Sequence, residues 1–275
     1  MSMLLCLVLI AVFLGLFLVF LGGACMIHAT AENRVMRPNR VGISRFIREW
    51  IAHIVLVGLL PLGLRKAPAP ARVRGARIQR TPVILVPGFL MNRATMWFLQ
   101  IYLRRRGWDW VWSVNNRRNT PIPVMARALG ARIEELQSAS GASKVDVVGH
   151  SMGGIVSAWY AAQLGGADNI ERLITLGTPW KGTRMHIWGP GVEAKDLSPD
   201  SDVIAQVQAA PVPVTAIWSP VDQLLIPSEC ARCDGHENIV VEQCGHMEML
   251  LSARVLRRVR EVLSRKLELA EDESA

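Results

Sequence analysis

Three patterns of apolar positions divide this 275-residue chain. Met3 to Ile27 holds no charged side chain and consists largely of Leu, Val, Phe and Ile. At ~1.5 Å per residue, such a run is long enough to cross the ~30 Å hydrocarbon core of a bilayer as a helix. A cleaved signal peptide is the rival reading, weakened because no Lys or Arg precedes the run. A second run, Trp50 to Leu64, is interrupted by His53 and contains Pro61 and Gly63 near its end. It is short for a span and fits an interfacial or re-entrant helix, with Arg48 and Trp50 at the headgroup level and His53 as an interfacial side chain. From Pro82 onward, short apolar runs alternate with amphipathic stretches of helical period.

In that third region the runs at 83–86, 108–114, 145–148, 173–176, 212–218 and 239–241 read as strands, rich in Val, Ile, Leu and Trp. Between them, helices are predicted over about 92–106, 121–138 and 152–164, with a closing helix over 247–269. Asn92 is placed to cap the first and Pro121 to open the second. Strands alternating with helices define an α/β fold, a mostly parallel sheet with helices on both faces. The expected organisation is a membrane anchor over 1–27, a basic juxtamembrane segment over 28–81 containing the short apolar helix 50–64, and a globular domain over 82–270. Glu271 to Ala275 reads as a frayed tail.

Charge changes the picture by its location. The formal net charge is +8, which first suggests nucleic acid. Yet residues 28–80 carry eleven Arg or Lys against Glu32 and Glu49, while residues 81–275 carry twenty basic and twenty-one acidic side chains. The basic balance sits beside the hydrophobic front, which points to an anionic lipid surface and away from nucleic acid. With a single span, the positive-inside tendency places the globular domain on the cytoplasmic face of the membrane; a second span at 50–64 would export it. Alkaline phosphatase fused after residue 80, active only outside the cytoplasm, separates the two. Five cysteines in this length do not make a disulfide framework. Cys230, Cys233, His236 and Cys244 have a spacing loosely like a metal site, but a single CxxC leaves free thiols as the expectation, or a Cys230–Cys233 disulfide outside the cytoplasm. No cofactor and no metal are called for.

The candidate chemistry lies in Gly149-His150-Ser151-Met152-Gly153-Gly154, set between the strand Val145 to Val148 and a helical pattern that opens with Ile155. A chain passing from strand to helix in so few residues turns sharply, and leaves Ser151 at the tip, beside a helix amino end that stabilises an oxyanion. A serine hydroxyl needs a base, and the base needs an orienting acid. Of six histidines, His28 and His53 lie near the membrane, His150 is expected to point away across the turn, His186 falls in a loop, and His236 precedes the last strand. His246 follows that strand, at the carboxyl edge of the sheet where catalytic groups gather. Asp222 leaves the same edge after the strand ending at Trp218. Backbone N–H groups of Met152 and Phe89, the latter in Pro87-Gly88-Phe89-Leu90, are placed to hold an oxyanion.

The segments PVILVPGFLMN, KVDVVGHSMGGIVSAWY, LITLGTPWKGT, DLSPDSDVI, SPVDQLLIP and GHMEML, in that order, resemble the bacterial lipases of the α/β-hydrolase superfamily. The likeness extends to triacylglycerol lipases and glycosylphosphatidylinositol-deacylase-like hydrolases and covers residues 82 to about 250. It implies an α/β-hydrolase fold and a serine ester hydrolase with Ser151, Asp222 and His246 as its triad, acting on acyl esters or lipids without a cofactor. An acyltransferase or thioesterase with the same triad, or an idle hydrolase fold serving as a membrane interaction module, are the alternatives. Pro87-Gly88 stands where the family has His-Gly, and Trp180 where His is usual. Residues 177–211 are too few for a large cap, so Trp180, Met185, Ile187 and Trp188 are candidates for the mouth of the cleft or for ordinary loop packing. Oligomeric state is open.

Overall fold

A computed structural model describes residues 43–65, 67–72 and 80–265, with a few positions between 15 and 32. The anchor expected over Met3 to Ile27 and the tail at 271–275 lie outside the described residues, apart from those few helical positions. The chain enters the described region through a long helix, α1 (Ile43–Gly63). Six strands follow: β1 (Val83–Val86), β2 (Val111–Ser113), β3 (Val145–His150), β4 (Ile170–Leu176), β5 (Val214–Trp218) and β6 (Glu237–Val240). They form one sheet in the order β2-β1-β3-β4-β5-β6, and every neighbouring pair is parallel. Six further helices are α2 (Trp97–Arg104), α3 (Ile122–Ser140), α4 (Met152–Gln163), α5 (Val192–Asp196), α6 (Asp202–Val207) and α7 (Ala253–Ser264).

Strand alternation sorts the core into two layers. Ile84, Val86, Val145 and Val147 face one cluster with α3, α4 and α6, while Val83, Leu85 and Val148 face a second with α1, α2 and α7. Each sheet face is thus covered by helices, the only stable burial for a sheet apolar on both sides. The chain leaves β1 toward β2 on one side and returns to β3 on the other. That reversal makes a crevice at the carboxyl ends of β1 and β3, the usual ligand position in open parallel sheets.

Most boundaries move by a few residues from those predicted. Asn92 caps as expected, its side chain accepting the Ala94 N–H at 3.0 Å, but the first turn is 3₁₀ and α2 proper starts at Trp97. The closing helix begins at Ala253, because residues 248–250 form a separate 3₁₀ turn after His246. The larger correction concerns the front. The apolar helix expected over 50–64 starts seven residues earlier, at Ile43, and Ala52 and Leu56 are buried in the second core cluster. A packing boundary at residue 82 therefore does not hold: α1 belongs to the body of the domain.

Candidate active site

The turn after β3 is built as the sequence demands. Ser151 has φ 52° and ψ −125°, a strained conformation for a side chain with a Cβ. It persists because both sides of the turn are held: the Ser151 N–H donates to the Leu176 carbonyl at 2.8 Å, and the Thr178 hydroxyl donates to the Ser151 carbonyl at 2.9 Å. A Cβ at Gly153 would run into the Val86 carbonyl oxygen, and one at Gly149 into the Gly154 backbone, so glycine is required at both. Ser151 thereby immediately precedes α4, whose first N–H, from Met152, has no intrahelical acceptor. The Pro87 to Leu90 turn lies directly against it, close enough that a Cβ on Gly88 would sit 3.0 Å from the Ser151 Cβ.

The structure brings Asp222 and His246 together from the ends of β5 and β6. His246 Nδ1 donates to Asp222 Oδ2 at 2.7 Å, with both residues buried. The other carboxylate oxygen, Oδ1, accepts the Leu224 N–H at 2.9 Å, so Asp222 fixes its own loop as well as the imidazole. With Nδ1 protonated, Nε2 keeps its lone pair. Burial works to lower the His246 pKa, but the charge and hydrogen bond of Asp222, with Glu49 beyond, prevail and hold it above the ordinary histidine value. Ser151, His246 and Gly88 line one pocket, which encloses about 150 Å³ and is walled mainly by apolar side chains, among them Phe89, Leu90, Met185, Leu224 and Leu225.

Two side chains at this pocket, and one behind it, were not expected there. His150 does not point away: its Nε2–H donates to the His246 carbonyl at 3.1 Å, and the two rings lie 4.8 Å apart. Burial and the neighbouring His246 push its pKa down to about 3, so it stays neutral. His53 and Glu49 both come from α1: His53 lines the pocket, and Glu49 reaches the backbone just after His246. Of the four candidates for the mouth, Met185 and Trp188 line the pocket, whereas Trp180 is buried in the core with its indole N–H on the Thr175 hydroxyl at 3.2 Å, and Ile187 is exposed away from the lining. His236 is half-buried at β6, away from the pocket. Cys230, Cys233 and Cys244 are buried free thiols, their pKa values raised by burial. Among the described residues no cluster of three or more His, Cys, Asp or Glu is placed to hold a metal ion.

A parallel sheet bearing a strained serine after its central strand, with an aspartate–histidine pair at the same edge, has the arrangement of the α/β-hydrolase fold. The family model for the alpha/beta hydrolase fold matches residues 81–189. A triacylglycerol lipase of Burkholderia plantarii is 28% identical over 160 residues, covering 55% of this chain and 44% of that lipase. The chain thus spans less than half the length of that relative. Among solved structures, lipase B of Aspergillus fumigatus superposes with a TM-score of 0.62 at 18% identity, over 72% of this chain and 56% of that one. The mature lipase BlEst2 of Bacillus licheniformis does so with 0.61 at 16% identity, over 70% and 95%. The chain has the α/β-hydrolase fold and is similar to lipases and esterases that share it.

Proposed function

We propose that this protein hydrolyses carboxylic acyl esters, lipids among them, through an acyl-enzyme on Ser151. The observation that carries the reading is the buried His246–Asp222 pair opening onto the same apolar pocket as the strained Ser151. In the first half-reaction Ser151 Oγ bonds to the ester carbonyl carbon as His246 Nε2 takes the hydroxyl proton. Asp222 holds the imidazole in the tautomer that leaves Nε2 free and stabilises the imidazolium. The carbonyl oxygen, now negative, is met by the Phe89 and Met152 N–H groups. Collapse breaks the bond to the alcohol, which leaves with the proton from His246; water then repeats the sequence and releases the acid. The apolar walls suit an acyl chain. Replacing Ser151 by Ala is expected to lower turnover of a p-nitrophenyl acyl ester by at least about 10³-fold with an unchanged melting curve. Turnover within tenfold of the parent would defeat the assignment.

The same reading places the enzyme at a membrane surface. Met3 to Ile27 has the length and composition of an anchor. In α1, Ile43, Ile47, Ile51 and Ile54 form an exposed apolar stripe opposite the buried side. That helix is also long and apolar enough to cross a bilayer, but its buried Glu49 and His53 belong to the domain, so we read it as lying at the surface. The full chain should remain with bacterial membranes after alkaline carbonate washing; release into the supernatant would contradict the anchor.

A further inference from the structure

The loop that carries His246 is gripped from outside the sheet. Glu49, fully buried on α1, accepts the Met247 N–H on Oε1 at 2.7 Å and the Glu248 N–H on Oε2 at 2.9 Å. The neighbouring Arg48 donates to the Gln243 carbonyl at 2.8 Å and pairs with Glu248 Oε1 at 3.3 Å. Glu248 Oε2 in turn accepts the Gly245 N–H at 3.1 Å. The contact needs close approach: a Cβ at Gly245 would collide with the Glu49 carboxylate. Gln243 stands in the left-handed region at φ 58°, so the loop turns sharply before these bonds, and it runs into the 3₁₀ turn Glu248–Leu250 after them. A buried carboxylate is costly to keep in a core, and the ordinary solution is an apolar side chain. This one has both oxygens engaged on consecutive amides directly after the histidine.

We infer that Glu49 is a positioning residue for His246, its carboxylate fixing the loop from α1 so that the imidazole stays aimed at Ser151. The inference rests on the hydrolase reading above. The groups facing Glu49 are His246 on its own loop, Asp222 from the β5 loop, and the Arg48–Glu248 pair at its rim. Burial pushes its carboxyl up to about 7, against the pull of the two amide bonds and His246. When ionised, it adds to Asp222 in raising the His246 pKa and so favours the imidazolium formed as Ser151 attacks. Each carries part of the other's shift, so the two groups titrate as a pair. Glutamine at this position keeps the shape but sets an amide NH₂ against a backbone N–H and removes the charge.

The test uses the full chain with Glu49→Gln and, should that variant fail to fold, Glu49→Asp. Active sites are counted with a fluorophosphonate, and kcat per titrated site, KM and the pH dependence of kcat/KM are measured on a p-nitrophenyl ester. For Glu49→Gln we expect kcat per site to fall by on the order of 100-fold with KM within about twofold. The acid limb of kcat/KM should move to lower pH, because the charge that raised the His246 pKa is gone. Glu49→Asp, with a shorter reach but the same charge, should lose kcat and keep the limb. A variant with fewer titratable sites or a lower melting temperature, but unchanged kcat per site and an unmoved limb, would show a role in folding alone and overturn the inference. A parent protein that neither turns over ester nor takes the label would remove the hydrolase reading itself, an outcome distinct from either variant's.

Discussion

His246 sits between opposed influences, and on the proposed mechanism its resulting pKa sets the pH range of activity. Burial disfavours the imidazolium, while the Asp222 carboxylate 2.7 Å away and Glu49 favour it more strongly, so the pKa lies above the reference 6.5. A general base must be neutral. Activity is therefore full above that raised value and lost as pH falls through it. The acid limb of kcat/KM for an acyl ester should have its midpoint above 6.5; a midpoint near 5 would contradict the pairing. His150, held neutral by burial, adds no limb in this range. That Ser151, Asp222 and His246 would gather at one edge of the sheet was legible in the sequence, because each follows a recognisable strand. The orientation of His150 was not, since strand alternation ends where Ser151 adopts positive φ and the ring swings toward His246. Nor was Glu49, whose amide partners lie 198 and 199 residues away and leave no local signal.

At the scale of elements, α1 is the one whose place the sequence concealed. Its apolar residues run round the helix, so composition suggested a membrane segment and hid the division between two faces. Ala52, Leu56 and Leu60 pack inward, and Ile47, Ile51 and Ile54 face out. Asn92 and Arg93, just after β1, secure its carboxyl end: the Asn92 amide donates to the Leu60 carbonyl at 2.8 Å, and the Arg93 guanidinium to Leu62 at 3.3 Å. If α1 is a structural part of the domain, Leu56→Ala should destabilise it by about 2–5 kcal/mol through lost burial and the cavity left behind. Denaturant unfolding monitored by the tryptophans measures this. An unchanged midpoint would mean that α1 is an appendage. The strands, by contrast, were read within a few residues, because β-branched runs buried on both faces leave little else for such segments to be.

As a whole, the described residues form a minimal α/β-hydrolase fold: six parallel strands with helices on both sides. Between β4 and β5 stand the two short helices α5 and α6 and a 3₁₀ turn, consistent with the limited length of 177–211. What closes the pocket instead comes in part from the front of the chain, where Gly22 and His53 join its lining. The family model spans β1 to β4, and the mature BlEst2 lipase superposes on 70% of the chain. On the proposed mechanism Ser151 is a nucleophile activated by the base beside it. The most direct measurement is the intact mass and peptide map of the full chain after incubation with a fluorophosphonate at pH 8. We expect a single adduct on the peptide containing Ser151, and none on the Ser151→Ala variant. A folded parent protein that stays unlabelled, or carries its adduct on another residue, would contradict the assignment.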